Sequence, residues 1–171
     1  MAQSNPHRRS GMAMLAVAWL IVLGGGWWYF DGWLGRQHNP NQTVQTLGDG
    51  TVVLEGNRSG HYVASGEING APVTFLLDTG ATDVALSTRL ARDLGLPRGA
   101  PMTLVTANGQ ALGYRTRLDS VRLGGIVLHD VAATFSDGIE SDTVLLGMSF
   151  LKRLDFSQRE GKLILHPPAT R

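Results

Sequence analysis

The chain has 171 residues and no cysteine, which excludes a disulfide scaffold, a cysteine nucleophile, a thiolate zinc site and an iron–sulfur cluster. Lys+Arg (15) nearly balances Asp+Glu (14), so no strong field of one sign points to nucleic acid as a partner. Glycine is abundant (22 residues), a composition that suits one β-rich domain with many tight turns, and the length leaves room for an appendage.

The appendage is N-terminal. From Met12 to Phe30 the sequence reads MAMLAVAWLIVLGGGWWYF, without a charge. As a helix this run would extend about 28 Å, close to the ~30 Å hydrocarbon core of a bilayer. It is longer than the apolar region of a cleavable signal, and no A-x-A cleavage pattern follows it. Trp27, Trp28, Tyr29 and Trp33 cluster at one end, where amphipathic rings favour the lipid–water interface. The expectation is one transmembrane helix over residues 12–30, with the lipid bilayer as its partner. Arg8 and Arg9 precede the run and Asp31 follows it, so the positive-inside rule makes residues 1–11 a cytoplasmic tail. The rest of the chain then lies on the periplasmic side of the inner (cytoplasmic) membrane. Residues 31–50 (DGWLGRQHNPNQTVQTLGDG) are poor in apolar side chains and read as a linker, leaving 51–171 as the folded domain.

That domain reads as short strands separated by Gly, Asn and Asp. TVVLEG is a strand. HYVASGEI and APVTFLLD flank Asn69-Gly70, the signature of a two-residue hairpin turn. Val84 to Leu86 is a brief strand, and Ser87 can cap a short helix (STRLARDL) that Gly95-Leu96-Pro97 ends. MTLVTANGQALGY predicts a second hairpin with Asn108-Gly109 at its tip. RTRLDSVRLGG and IVLHDVAATFS are two more strands, Thr143 to Leu146 is a buried one, MSFLKRL is helical and KLILH is the last strand. Strands at this spacing with one or two short helices predict an all-β fold, a small closed β-barrel or sandwich.

The segment FLLDTGATDVALS carries the chemistry. Phe75-Leu76-Leu77 is a continuous apolar run that delivers Asp78 into Thr79-Gly80-Ala81. An acid at the end of a buried strand is costly unless hydrogen-bonded or paired. Gly80 lets the backbone turn with its amides facing the carboxylate, and the Thr79 hydroxyl can bond across to a neighbour. Asp83, five residues on, reads as a turn or surface acid. His61, His129 and His166 lack metal-ligand spacing, so no metal or organic cofactor is expected. The Arg115, Arg117, Arg122 series reads as a solvated strand face.

LLDTGA, an aliphatic strand, a distal hairpin and then VLLGMSFL near the C-terminus resemble the retropepsin-like aspartic proteases, specifically their single-span, membrane-anchored bacterial members. The resemblance covers residues 59–167 and implies a closed barrel of the acid-protease type. It implies Asp78, Thr79 and Gly80 as catalytic residues, and Leu145-Leu146-Gly147 as the element beside the catalytic loop. Ala81 and a flap containing Thr106, Ala107, Asn108 and Gly109 would contact a protein or peptide substrate. Such chemistry needs two carboxylates sharing a proton. Asp119-Ser120-Val121, Asp137-Gly138 and Asp142-Thr143-Val144 all fail to supply a second Asp-Thr/Ser-Gly. The resemblance therefore implies a homodimer with one Asp78 from each chain. The activity expected is that of a membrane-anchored aspartic endopeptidase. The rival expectation is a catalytically silent peptide-binding or envelope assembly module on the same fold.

Overall fold

The structure is a computed structural model that describes residues 6–106, 109–139 and 141–168. The chain divides into two compact units, Met1–Gln37 and His38–Arg171. The first is built on one continuous helix, α1 (Pro6–His38), whose apolar residues lie all round rather than on one stripe. Leu15, Leu20, Ile21, Trp27 and Trp28 are all well exposed. Among the described residues, no helix is long and apolar enough to cross a membrane. The transmembrane helix expected over residues 12–30 is thus not supported.

The second unit contains β1 (Gln45–Thr46), β2 (Val52–Glu55), β3 (Val63–Ile68), β4 (Ala71–Leu77), β5 (Val84–Ser87), α2 (Thr88–Asp93), β6 (Pro101–Thr106) and β7 (Gly109–Leu123). It continues through β8 (Ile126–Ser136), β9 (Thr143–Leu146), α3 (Met148–Leu151), β10 (Asp155–Arg159) and β11 (Lys162–His166). A seven-stranded sheet runs in the order β3-β4-β9-β5-β8-β7-β6, and a four-stranded sheet in the order β1-β2-β11-β10. β3 also meets β7 through Glu67↔Arg122 and Ile68↔Val121, so the larger sheet curls back on itself there. The fold is mostly β with short helices, as expected. Of the closed barrel expected, the β3–β7 pairing shows the curl of the larger sheet, while β1, β2, β10 and β11 form a separate sheet. Strand spacing along a sequence carries no information about such long-range closure.

Local chemistry explains most elements. Asn69 (φ 51°) and Gly70 (φ 81°) give the β3–β4 turn the two positive φ angles that a tight hairpin requires. Ser87 caps α2, its hydroxyl accepting from Leu90 N at 3.2 Å. β7 is one 15-residue strand where the sequence suggested a hairpin arm and a separate strand. Its pairing with β6 ends at Thr106↔Gly109, so Gly109 is the last paired residue rather than part of the tip. Ala107 and Asn108 lie outside the described residues. α3 is shorter than MSFLKRL suggested, and β10 was not foreseen, because its five residues are all exposed and show no apolar alternation.

Residues 31–50, expected as a linker, fall partly in α1 and partly in the β unit. α1 runs to His38, and the residues after it join the β unit. Asn41 is 4% exposed: its amide nitrogen donates to Glu55 O and Val63 O, and its Oδ1 accepts from Glu55 N. A polar residue stitching two strands together reads, in sequence, like a linker residue. The core below gathers Leu54, Ile68, Phe75, Leu86, Leu118, Leu146, Phe150 and Leu165, all fully buried.

Candidate active site

β4 places Asp78. The strand is paired on both sides, antiparallel to β3 and parallel to β9, with Leu77 opposite Leu146. Phe75 is fully buried and anchors the strand. The chain leaves the sheet at Asp78, whose amide still donates to Leu146 O at 3.2 Å. The side chain is half-buried, and its Oδ1 accepts from Gly80 N at 2.8 Å. A Cβ on Gly80 would sit 3.1 Å from that oxygen, a tight contact that would make the carboxylate shift by a few tenths of an ångström.

The rest of the loop is held from beneath. Met148 N donates to Ala81 O and Ser149 N to Thr82 O, each at 2.8 Å. At Gly147 a Cβ would lie 2.3 Å from Asp83 O and 2.7 Å from Ala81 O, which admits only glycine. Leu145-Leu146-Gly147 thus does what the sequence assigned to it, lying beside the Asp78 loop and leading into a helix. Ser149 was missed. It is 8% exposed, accepts from Val84 N at 3.0 Å and donates to Ala132 O at 2.8 Å, locking the end of the loop to β8. A lone serine in a helical stretch gives no signal of this.

Asp78 opens into a cleft of about 700 Å³. Gly80, Ala81 and Thr82 form its floor with Asp83, and Met102, Thr103 and Leu104 of β6 face it. Asp83 and Arg115, read from sequence as surface residues, both line this cleft. The useful signal for Asp83 was its place in the same loop as Asp78. Arg115 needed the long β7 strand, which sequence reading had divided. Ala81 lines the cleft, and Thr106 at the end of β6 pairs with Gly109 at the start of β7. Thr79 is exposed, and its hydroxyl has no hydrogen bond among the described residues. It borders a second hollow of about 270 Å³, shared with Asp78, Leu151 and Phe156. Among the described residues, no group of three or more His, Asp or Glu could hold a metal ion.

Three comparisons bear on this geometry. The family model described as "gag-polyprotein putative aspartyl protease" matches residues 64–153, which contain the Asp78 loop, β6–β7 and α3. An uncharacterized protein from Sinorhizobium sp is 34% identical over 114 residues, covering 65% of this chain and 49% of its own length. An uncharacterized protein from Rickettsia prowazekii (strain Madrid E) is 31% identical over 153 residues, covering 83% of this chain and 64% of its own. The chain thus spans about half to two thirds of the length of these curated relatives. The crystal structure of a retropepsin-like aspartic protease from Rickettsia conorii matches with a TM-score of 0.58 and 32% identity, over 68% of this chain and 89% of that one. With its Asp-Thr-Gly loop cradled by β9 and α3, the chain belongs to the retropepsin-like aspartic protease family.

Proposed function

We propose that the protein is an aspartic endopeptidase whose site is completed by a second copy of the same chain. The observation that carries this reading is Asp78: a half-buried carboxylate fixed by Gly80 N at the mouth of a cleft large enough for an extended peptide. In the dimer, one Asp78 accepts a proton from a water molecule as the water oxygen attacks the scissile carbonyl. The other donates its proton to the carbonyl oxygen, so the pair holds one shared proton before and after the step. Thr79 would brace the pair through its hydroxyl, which has no partner within one chain among the described residues. Ala81 and the flap residues Thr106, Ala107, Asn108 and Gly109 would contact the substrate backbone. Two features support self-association: the one Asp-Thr-Gly in the chain, and the exposed outer strand β10 with Phe156 at 41% exposure beside Thr79.

Incubating the full chain with a mixed peptide library at acidic pH tests the reading. Cleavage that is lost in Asp78→Asn, and blocked by a peptide carrying a hydroxyl in place of the scissile carbonyl, is the expected result. Peptide binding without any cleavage would favour the silent module instead.

A lipid surface is the proposed partner of α1. A helix apolar all round is stable when enclosed by a core or by lipid, and these side chains are exposed. With Arg8 and Arg9 ahead of the apolar run, the β unit would lie on the extracytoplasmic side of the inner membrane. A reporter fused after Arg171 should be active only there; cytoplasmic activity would reverse the orientation.

A further inference from the structure

A second concavity, of about 610 Å³, adjoins the Asp78 cleft, and the two share Asp83 and Arg115 in their walls. Its lining includes three guanidinium side chains, Arg98, Arg115 and Arg117, against the single carboxylate of Asp83. Arg115 and Arg117 alternate along β7 and so project to one face of the strand. Arg98 comes from the segment before β6, which is laced to β7 by Gly99 N donating to Arg115 O and Arg115 N donating to Ala100 O. A Cβ on Gly99 would lie 2.5 Å from Arg115 O, so the close approach of these two stretches depends on glycine. The Arg98 guanidinium lies 4.0 Å from the centroid of the Tyr114 ring, which holds it in place without neutralising it. Arg117 pairs with Asp130, whereas Arg98 and Arg115 make no ion pair among the described residues.

From this we infer that the concavity is a substrate subsite selecting acidic polypeptide: Asp or Glu side chains flanking the scissile bond bind the guanidinium groups of its lining, Arg98 and Arg115. The inference rests on the protease reading for its context, because continuity with the Asp78 cleft makes a peptide the occupant. A peptide lying across Asp78 runs past Arg115 into the second concavity. Planar guanidinium groups match carboxylates in a forked pair of hydrogen bonds, and Arg98 and Arg115 are both exposed and so reachable by a peptide. The chain as a whole is near neutral, so this is a local concentration of positive charge rather than a general attraction for anions.

The test separates binding from turnover. Full-length Asp78→Asn is titrated against two fluorescein-labelled peptides that differ only in a Glu-Asp-Glu block or its Gln-Asn-Gln counterpart. The acidic peptide should bind at least about tenfold more tightly, the ratio that hydrogen bonds to a charged group carry, and salt should weaken the difference. Arg98→Gln with Arg115→Gln should erase the preference. Arg115→Glu alone should shift it toward a lysine-bearing peptide. Arg122→Gln, which removes the ion pair with Glu67, should leave it intact. Equal affinity for the two peptides overturns the inference, as does an acidic preference that survives both Arg115 changes. Displacement by an oligonucleotide or by anionic vesicles as effectively as by the acidic peptide overturns the assignment to polypeptide. Selective acidic binding together with absent cleavage by the wild type would sink the protease reading while leaving the subsite standing.

Discussion

The two sides of the Asp78 loop differ sharply. On its inner side the loop is finished: Leu146, Met148 and Ser149 meet it with backbone or hydroxyl hydrogen bonds, Gly147 packs closely against its carbonyls, and Phe150 behind them is fully buried. On its outer side it is open: Thr79 and Gly80 are exposed, and β10, at the margin of the smaller sheet, is exposed along its whole length. One chain therefore holds one Asp78 carboxylate still, and among the described residues no second Asp-Thr-Gly loop faces it. Rigid support and chemical completeness are separate properties here, and each can be disturbed without the other.

The largest effect is expected at the chemistry. Asp78→Asn should lower peptide cleavage by about 10³-fold, the scale of losing a general acid–base, with an unchanged unfolding midpoint. Comparable destabilisation in urea would mean that the carboxylate is structural. The inner side should respond in the opposite way. Phe150→Ala leaves a void in the core and should cost about 3–5 kcal/mol in a urea titration. Gly147→Ala forces a methyl against Asp83 O and Ala81 O and should cost about 1–3 kcal/mol, with activity falling further because the loop must move.

The outer side should respond to neither measurement alone. Phe156→Asp should change the stability of the folded chain by no more than about 0.5 kcal/mol, as for other surface sites. It should weaken self-association about tenfold by sedimentation equilibrium, as loss of an apolar anchor would. The smallest effect is at Asp49, whose carboxyl is held below its usual value mainly by the hydrogen bond from Thr51 N. A lowered pKa in the fold means stability present above the unfolded value and lost as pH falls through the folded one. Asp49→Asn should therefore slightly lower the unfolding midpoint at neutral pH, where the carboxylate is ionised, and leave it unchanged at acid pH, so that the acid limb of a plot of midpoint against pH becomes shallower.

The inner side was legible in sequence and the outer side was not, for a physical reason. Phe75-Leu76-Leu77 before Asp78, and Leu145-Leu146-Gly147 before a helix, carry apolar runs and a glycine whose purposes are local. The Asn69-Gly70 turn and the Ser87 cap are likewise contained in a few residues. By contrast, the role of Arg115 depends on Gly99 bringing a distant segment beside it, and Asn41 is buried only because β2 and β3 flank it. The course of β10 depends on pairing with β11 rather than on its own pattern. The apolarity of residues 12–30 was legible too, although among the described residues no helix is long and apolar enough to cross a membrane.

The central claim is that catalysis needs Asp78 from two chains, and mixing tests it most directly. Full-length wild type is held at constant concentration while Asp78→Asn is titrated in under conditions where subunits exchange, and cleavage is measured per wild-type chain. The account expects this activity to fall in proportion to the fraction of wild-type partners, because each mixed pair lacks one carboxylate. Activity per wild-type chain that stays constant across the titration would contradict it and make each chain catalytically self-sufficient.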